Sequence, residues 1–245
     1  MKENPYDSPE LFQAYSRMDR SIQGLEGAGE WHALRALMPD LRNRRVLDLG
    51  CGYGWHCAWA ADQGAAEVVG VDLSQRMLEV ARAKHRRPAV TYLRCAMEDI
   101  SFPPARFDVV LSSLALHYTE DFPALAGKVW ELLAEGGYFL FSAEHPVFTA
   151  AGSQDWHYDG QGNILHFPVD RYFEEGARQA VFLGETVTKY HRTLTAYLDG
   201  LLSRGFALRR FVEPTPPEDK MDLPGMRDEL RRPMMMLVLA QKIDR

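Results

Sequence analysis

Short apolar runs alternate with amphipathic stretches along the first half of the chain. Arg45-Val-Leu-Asp-Leu-Gly50 is a β run with charge on one side and glycines on the other, and Val68–Asp72, Val90–Leu93, Phe107–Ser112 and Tyr138–Ser142 repeat the pattern. Between these runs the spacing predicts helices. One covers Trp55–Gln63 and stops at Gly64, and a second opens at the N-cap Ser74 and reaches about His85. A third carries Phe122, Leu125, Val129 and Leu132 on one face and ends at Gly136-Gly137. Strands alternating with helices imply a parallel sheet covered by helices on both faces.

The flanks differ from this rhythm. The chain up to about Asp40 reads as helical. From about Glu144 to Tyr190 the pattern breaks into a stretch rich in aromatics, His and Gly, without a strong period. Leu194, Tyr197, Leu198, Leu201 and Leu202 then form an amphipathic stripe capped at Gly205. Phe206–Val212 and Met234–Gln241 read as strands joined by an excursion holding Pro214, Pro216, Pro217 and Pro224, with no crossover helix between them, so they form an antiparallel pair. The expected architecture is a doubly wound α/β fold of the Rossmann-like kind. Its seven-stranded sheet is mostly parallel, with an antiparallel last strand. Residues 1–40 form a helical lid segment, and residues 41–245 form the α/β domain with an insertion at about 144–190 that covers the substrate.

Composition narrows the partners. The chain has 28 basic and 34 acidic residues, a formal net charge of -6, which disfavours nucleic acid as a ligand. Cys51, Cys57 and Cys95 include no C-x-x-C pair, which argues against a disulfide framework or a zinc cluster and fits a reducing compartment. No apolar run approaches a membrane span, so the expectation is a cytoplasmic protein without membrane contact. A homodimer is compatible with all of this.

Gly50-Cys51-Gly52-Tyr53-Gly54 lies directly between a predicted strand and a predicted helix, where glycines permit a sharp turn and close approach to a ligand. Asp72 ends the next strand, where a carboxylate can accept the hydroxyls of a ribose. A dinucleotide fingerprint needs a third glycine where Trp55 stands, and no Gly-Lys-Ser/Thr follows for a P-loop, so the loop suits a nucleoside without phosphates. A nicotinamide dehydrogenase is disfavoured on the same ground.

Val46-Leu-Asp-Leu-Gly-Cys-Gly-Tyr-Gly54 resembles the first motif of class I S-adenosylmethionine-dependent methyltransferases, of the small-molecule branch called methyltransferase type 11. Val69-Gly-Val-Asp-Leu-Ser74, Ala96-Met-Glu-Asp-Ile100, Leu111-Ser-Ser-Leu-Ala-Leu-His117 and the Gly136-Gly137 turn are similar to its later motifs. Ala96 departs from the pattern where many members carry Asp, and Glu135 where they carry Pro. The resemblance implies S-adenosyl-L-methionine as cofactor. Asp48, Gly50, Cys51 and Gly52 would face its methionine part, Asp72 and Leu73 the ribose, Met77, Met97 and Glu98 the adenine, and Ser113 would add backbone contacts.

The implied reaction is in-line transfer of a methyl group to an oxygen, nitrogen or carbon of a small-molecule acceptor, with the protein aligning the acceptor and excluding water. Protein or RNA methylation, or cofactor binding by a non-catalytic regulator, remain as alternatives. An oxygen or nitrogen acceptor must lose a proton. His117, His145 and His191, each after a predicted strand or before a helix near the cleft, are the candidate bases and substrate contacts. No residue spacing suggests a metal site. Tyr15 and the insertion aromatics Phe148, Trp156, Tyr158, Phe167, Tyr172 and Phe173 could cover the cleft or form a satellite core.

Overall fold

A computed structural model describes residues 4–243. The central sheet has seven strands in the order β10-β11-β5-β4-β1-β2-β3. These are β1 (Arg45–Leu49), β2 (Glu67–Asp72), β3 (Val90–Arg94), β4 (Phe107–Ser113), β5 (Leu133–Glu144), β10 (Phe206–Val212) and β11 (Met235–Lys242). β3, β2, β1, β4 and β5 run parallel, and β11 runs antiparallel to both β5 and β10. The last strand is therefore the reversed one.

Alternation along the strands sorts side chains to the two faces. Leu47 and Leu49 of β1, with Phe139 and Phe141 of β5, pack in the cluster that holds helices α6 (Phe122–Leu132) and α8 (Leu194–Leu202). Val46 of β1 and Val68 of β2 turn the other way, onto Cys57 of α4 (Trp55–Asp62) and Leu78 of α5 (Gln75–Lys84). On that side, nearer the far strands, Leu140 and Leu237 meet Trp31 and Leu34 of α3 (Trp31–Leu37). Strands buried on both faces carry near-continuous apolar runs. β3, at the edge, keeps only Tyr92 buried.

Several boundaries differ from the sequence reading. α6 ends at Leu132 rather than at the glycine pair. β5 begins at Leu133, and Gly136, at φ +73°, lies where its pairing with β4 shifts from Leu133 to Tyr138. The glycines therefore form an irregularity within the strand. The stretch read as patternless holds two hairpins, β6 (His157–Tyr158) with β7 (Ile164–His166) and β8 (Gly176–Phe182) with β9 (Glu185–His191). β8 and β9 are joined through Leu183-Gly184, both at positive φ, a two-residue turn that matches strand twist. A short helix, α7 (Pro146–Thr149), follows β5.

The N-terminal part is a series of short helices, including α1 (Pro9–Ser16) and α2 (Asp19–Ile22). Leu11 of α1 packs with Ala180 and Val187 of the β8–β9 hairpin, and the Tyr6 ring meets those of Tyr15, Tyr118 and Phe182. The N-terminal helices and the hairpin thus meet beyond the carboxyl ends of β1, β2 and β4.

Gly54, at φ +78°, tests this packing. A Cβ there would stand 2.4 Å from the hydroxyl of the buried Tyr92. Gly64 has φ +88°, but its nearest neighbour would be 3.6 Å away. Both alanine substitutions incur the left-handed backbone cost of about 1–2 kcal/mol, and Gly54→Ala adds an overpacking cost of about 1–3 kcal/mol. Urea unfolding should show Gly54→Ala as clearly the more destabilised variant.

Candidate active site

The loop after β1 turns through Gly50, Gly52 and Gly54, at φ +73°, +52° and +78°. Its first two amides, of Gly50 and Cys51, donate to the Val71 carbonyl at 2.9 Å, which ties the loop to the end of β2. At that end the Asp72 carboxylate accepts from the Gly52 amide through Oδ2 and from the Ser74 amide through Oδ1, each at 2.8 Å. Burial raises its pKa, and the two amide donors oppose the rise. Ser74 also caps α5 by accepting from the Met77 amide at 3.1 Å. Asp7, from the N-terminal segment, receives the Ser74 hydroxyl at 2.6 Å and the Arg76 amide at 3.2 Å. One carboxylate holds the loop to the strand end, and a second clasps the N-terminal segment to the same helix start.

Above this floor lies a cavity of about 1250 Å³. Of the residues expected to face the cofactor, Gly50, Cys51, Gly52, Asp72, Leu73, Met77, Met97, Glu98 and Ser113 line it. Asp48 does not. It is buried beneath the loop, accepting from the Cys57 thiol at 3.2 Å, and burial pushes its carboxyl up to about 7. Alternation along β1 explains this, because position 48 points to the α4 side.

The three candidate histidines separate. His117 lies in a 3-10 turn (Leu116–Tyr118) after β4, is 3% exposed and lines the cavity. His145 and His191 are not among the lining residues. His145 receives the Val147 amide on Nδ1, capping α7, and places Nε2 3.1 Å from Glu213. His191 ends β9 instead of starting a helix, and its ring nitrogens meet the Thr149 hydroxyl at 2.7 Å and the Tyr172 carbonyl at 2.9 Å. Both rings are used in joining segments. Tyr15 lines the cavity, edge-on to Tyr6 and Tyr53. Of the insertion aromatics, Phe182 and Tyr190 line it, but those singled out in the sequence do not: Phe148, Trp156 and Phe167 gather around the Arg232 guanidinium as a satellite cluster, and Phe173 is 88% exposed.

Sequence reasoning missed the charged groups of the wall. Arg20 and Glu30 form a 2.7 Å ion pair, and Glu30, 2% exposed, also receives the Ser113 hydroxyl at 3.3 Å. Glu144, the last residue of β5, accepts from Lys189 Nζ at 2.5 Å through Oε1 and from Gln154 Nε2 at 2.6 Å through Oε2. Lys189 also donates to Gln154 Oε1 at 2.8 Å, and His117 Nε2 is 4.0 Å from Glu144 Oε1. These residues come from elements distant in sequence, and no local motif marks them. The period-2 burial of β9, with Val187, Lys189 and His191 inward, was the one available signal.

The wall fits a nucleoside cofactor. A Cβ on Gly52 would meet no protein atom within 4 Å, so the glycine leaves open space on the cavity side of the loop. Asp72 keeps a further lone pair on each oxygen beyond its two amide donors. Among the described residues no group of His, Cys, Asp and Glu is arranged to hold a metal ion.

Comparisons with known proteins agree with this geometry. Residues 47–141 match a family described as a methyltransferase domain. A solved structure from Listeria monocytogenes, proposed to be an S-adenosylmethionine-dependent methyltransferase, is 53% identical with a TM-score of 0.87 and covers 90% of this chain and 100% of its own. The structure of an S-adenosylmethionine-dependent methyltransferase from Mesorhizobium loti is 42% identical with a TM-score of 0.83 and covers 89% and 100%. Malonyl-[acyl-carrier protein] O-methyltransferase of Serratia marcescens is 33% identical over 137 residues, 51% of each chain. The chain belongs to the S-adenosylmethionine-dependent methyltransferases, and S-adenosylmethionine is the cofactor of that family.

Burial sets the acid behaviour of the fold. It pushes His56, His117 and His145 down to about 4, against an ordinary value of 6.5. These rings stay neutral when folded and take up protons on unfolding at lower pH, so their contribution, present above 6.5, is lost as pH falls towards 4. Asp48 works in the opposite sense, since its folded form gains a proton near 7 and its unfolded form only near 3.8. Asp72 is raised as well, but His85 and His191 are also lowered, so five imidazoles oppose two carboxyls. Unfolding free energy from urea melts should fall by roughly a few kcal/mol between pH 6.5 and 4; a flat or rising profile contradicts the burial of these rings.

Proposed function

We propose that the cavity binds S-adenosylmethionine over the Gly50–Gly54 loop and transfers its methyl group to an oxygen, nitrogen or carbon of a small, largely apolar molecule seated beside it. The observation that carries this reading is Asp72, fixed by the Gly52 and Ser74 amides and facing the cavity with lone pairs to spare. Its carboxylate would take the ribose hydroxyls. Leu73, Met77 and Met97 would enclose the base, with Glu98 at its edge. Gly50, Cys51, Gly52 and Ser113 would border the methionine part, and Arg20 and Glu30 lie on the same wall. When bound, the cofactor supplies a methyl group on a sulfonium sulfur, which departs as a neutral thioether.

The acceptor half is bounded by His117, Tyr118, Phe182, Lys189 and the proline- and methionine-bearing stretch around Pro216, Met226 and Met234. The cavity exceeds the roughly 300–1000 Å³ of an ordinary single-ligand pocket, so an acceptor has room next to the cofactor. The Serratia marcescens relative, named as an O-methyltransferase of malonyl-[acyl-carrier protein], supports an oxygen on an acyl group as the acceptor atom. Residues 4–40 and the β8–β9 hairpin act as the lid, holding the acceptor in place and keeping water from the reacting atoms. His117 receives the proton of an oxygen or nitrogen acceptor.

Calorimetric titration with S-adenosylhomocysteine tests the cofactor half. Asp72→Ala should weaken binding by about 1–3 kcal/mol, the scale of lost hydrogen bonds to a charged group, while Asp48→Asn, beneath the loop, should change it far less. Unchanged affinity in Asp72→Ala removes that carboxylate from the site.

A further inference from the structure

Asp48 lies beneath the loop, against the Cys57 thiol, so it gives the amino-acid end of the cofactor no charged partner. Arg20 of α2 and Glu30, just ahead of α3, do lie on the cavity wall. Nη2 of Arg20 donates to Glu30 Oε1 at 2.7 Å, and Ser113, the last residue of β4, donates its hydroxyl to the same oxygen at 3.3 Å. The Glu30 side chain is 2% exposed and that of Arg20 22%.

A guanidinium carries five N–H donors in a rigid planar fork. The bond to Glu30 takes one of them, and the side chain makes no other hydrogen bond among the described residues. A buried carboxylate therefore anchors the guanidinium to the end of β4, while donors remain on a part of the wall that a ligand can reach. Lys189, on the same wall, differs in both respects. It is 3% exposed, and its ammonium is spent on Glu144 and Gln154.

Strand order gives the direction. β2, which ends in Asp72, and β4, which ends in Ser113, flank β1 on its two sides. Their ends are thus about 10 Å apart, two strand spacings, and the Gly50–Gly54 loop lies between them. A ligand with its sugar on Asp72 that crosses this loop brings the chain attached to that sugar to Ser113 and the ion pair. In S-adenosylmethionine that chain ends in an amino acid with a free carboxylate.

We infer that Arg20 binds the carboxylate of the cofactor's amino-acid end, with Glu30 as the positioning residue that fixes its guanidinium, and that the site distinguishes cofactors by this group. The inference rests on reading the cavity as an S-adenosylmethionine site. Arg20 then has a part in recognition that no local motif marks, and the N-terminal segment supplies a contact to the cofactor as well as a cover.

Calorimetric titration of the full-length protein with three ligands separates the possibilities. These are S-adenosylhomocysteine, its decarboxylated analogue, which keeps the ammonium, and methylthioadenosine, which lacks the whole amino-acid end. Wild-type protein should bind S-adenosylhomocysteine about tenfold or more tighter than the decarboxylated analogue. Arg20→Lys keeps a charge opposite Glu30 but loses the fork; it should lose about fivefold or more for S-adenosylhomocysteine and stay within about twofold for methylthioadenosine. Glu30→Gln should show the same selective loss. Arg20→Met/Glu30→Met, which leaves no unpaired buried charge, should bind S-adenosylhomocysteine and its decarboxylated analogue within about threefold of each other. Equal wild-type affinity for those two ligands, an unchanged affinity for S-adenosylhomocysteine in Arg20→Lys, or equal losses for all three ligands overturns the inference. Binding of methylthioadenosine alongside any of these outcomes leaves the cofactor reading standing, whereas failure of all three ligands to bind the wild type refutes both.

Discussion

The clasp of Asp72 on the Gly52 and Ser74 amides governs the geometry of the rest. It joins the loop after β1, the end of β2 and the start of α5 through one side chain. A charged acceptor binding two backbone amides is among the stronger hydrogen-bond arrangements available, and it offsets the cost of burying the carboxylate. Because the loop is fixed there, the open space over Gly52 is already in place before a ligand arrives. The N-terminal segment is tied to the same point through Asp7 and Ser74, so the cover of the cavity and its floor share one anchor.

Two further ion pairs on the wall, Arg20–Glu30 and Lys189–Glu144, are difficult to justify by stability alone. Replacing a buried pair with apolar groups is often neutral or favourable for folding. Both pairs lie on the wall of the same cavity, where charged groups can meet a ligand. The acid sensitivity that follows from the buried histidines is a stability cost of this arrangement.

The α/β core was legible because its signals are local. Val46–Leu49 and Val68–Asp72 are short apolar runs ending at glycines or an acid, and Ser74 caps the helix the sequence assigns to it. The residues that line the floor of the cavity were legible for the same reason, since they sit in the loops that end those strands. Asp48 was misplaced because a motif gives sequence order and not which face of the strand a side chain takes. His145 and His191 were indistinguishable from His117 until their partners, Val147, Thr149 and Tyr172, were located in space. Arg20, Glu30, Glu144 and Lys189 acquire meaning only through contacts between elements far apart in the chain. The β8–β9 hairpin was hidden because aromatic, His and Gly content masked a period-2 pattern visible in Val187, Lys189 and His191.

The central claim is that a preformed glycine bend and one fixed carboxylate bind a nucleoside thioether at the carboxyl end of the sheet. A crystal structure of the complex with S-adenosylhomocysteine tests it most directly. The account predicts both ribose hydroxyls on the Asp72 carboxylate, the base between Leu73 and Met97, and the loop backbone unmoved. A ligand bound elsewhere, or a loop that must rebuild to admit it, would contradict that claim.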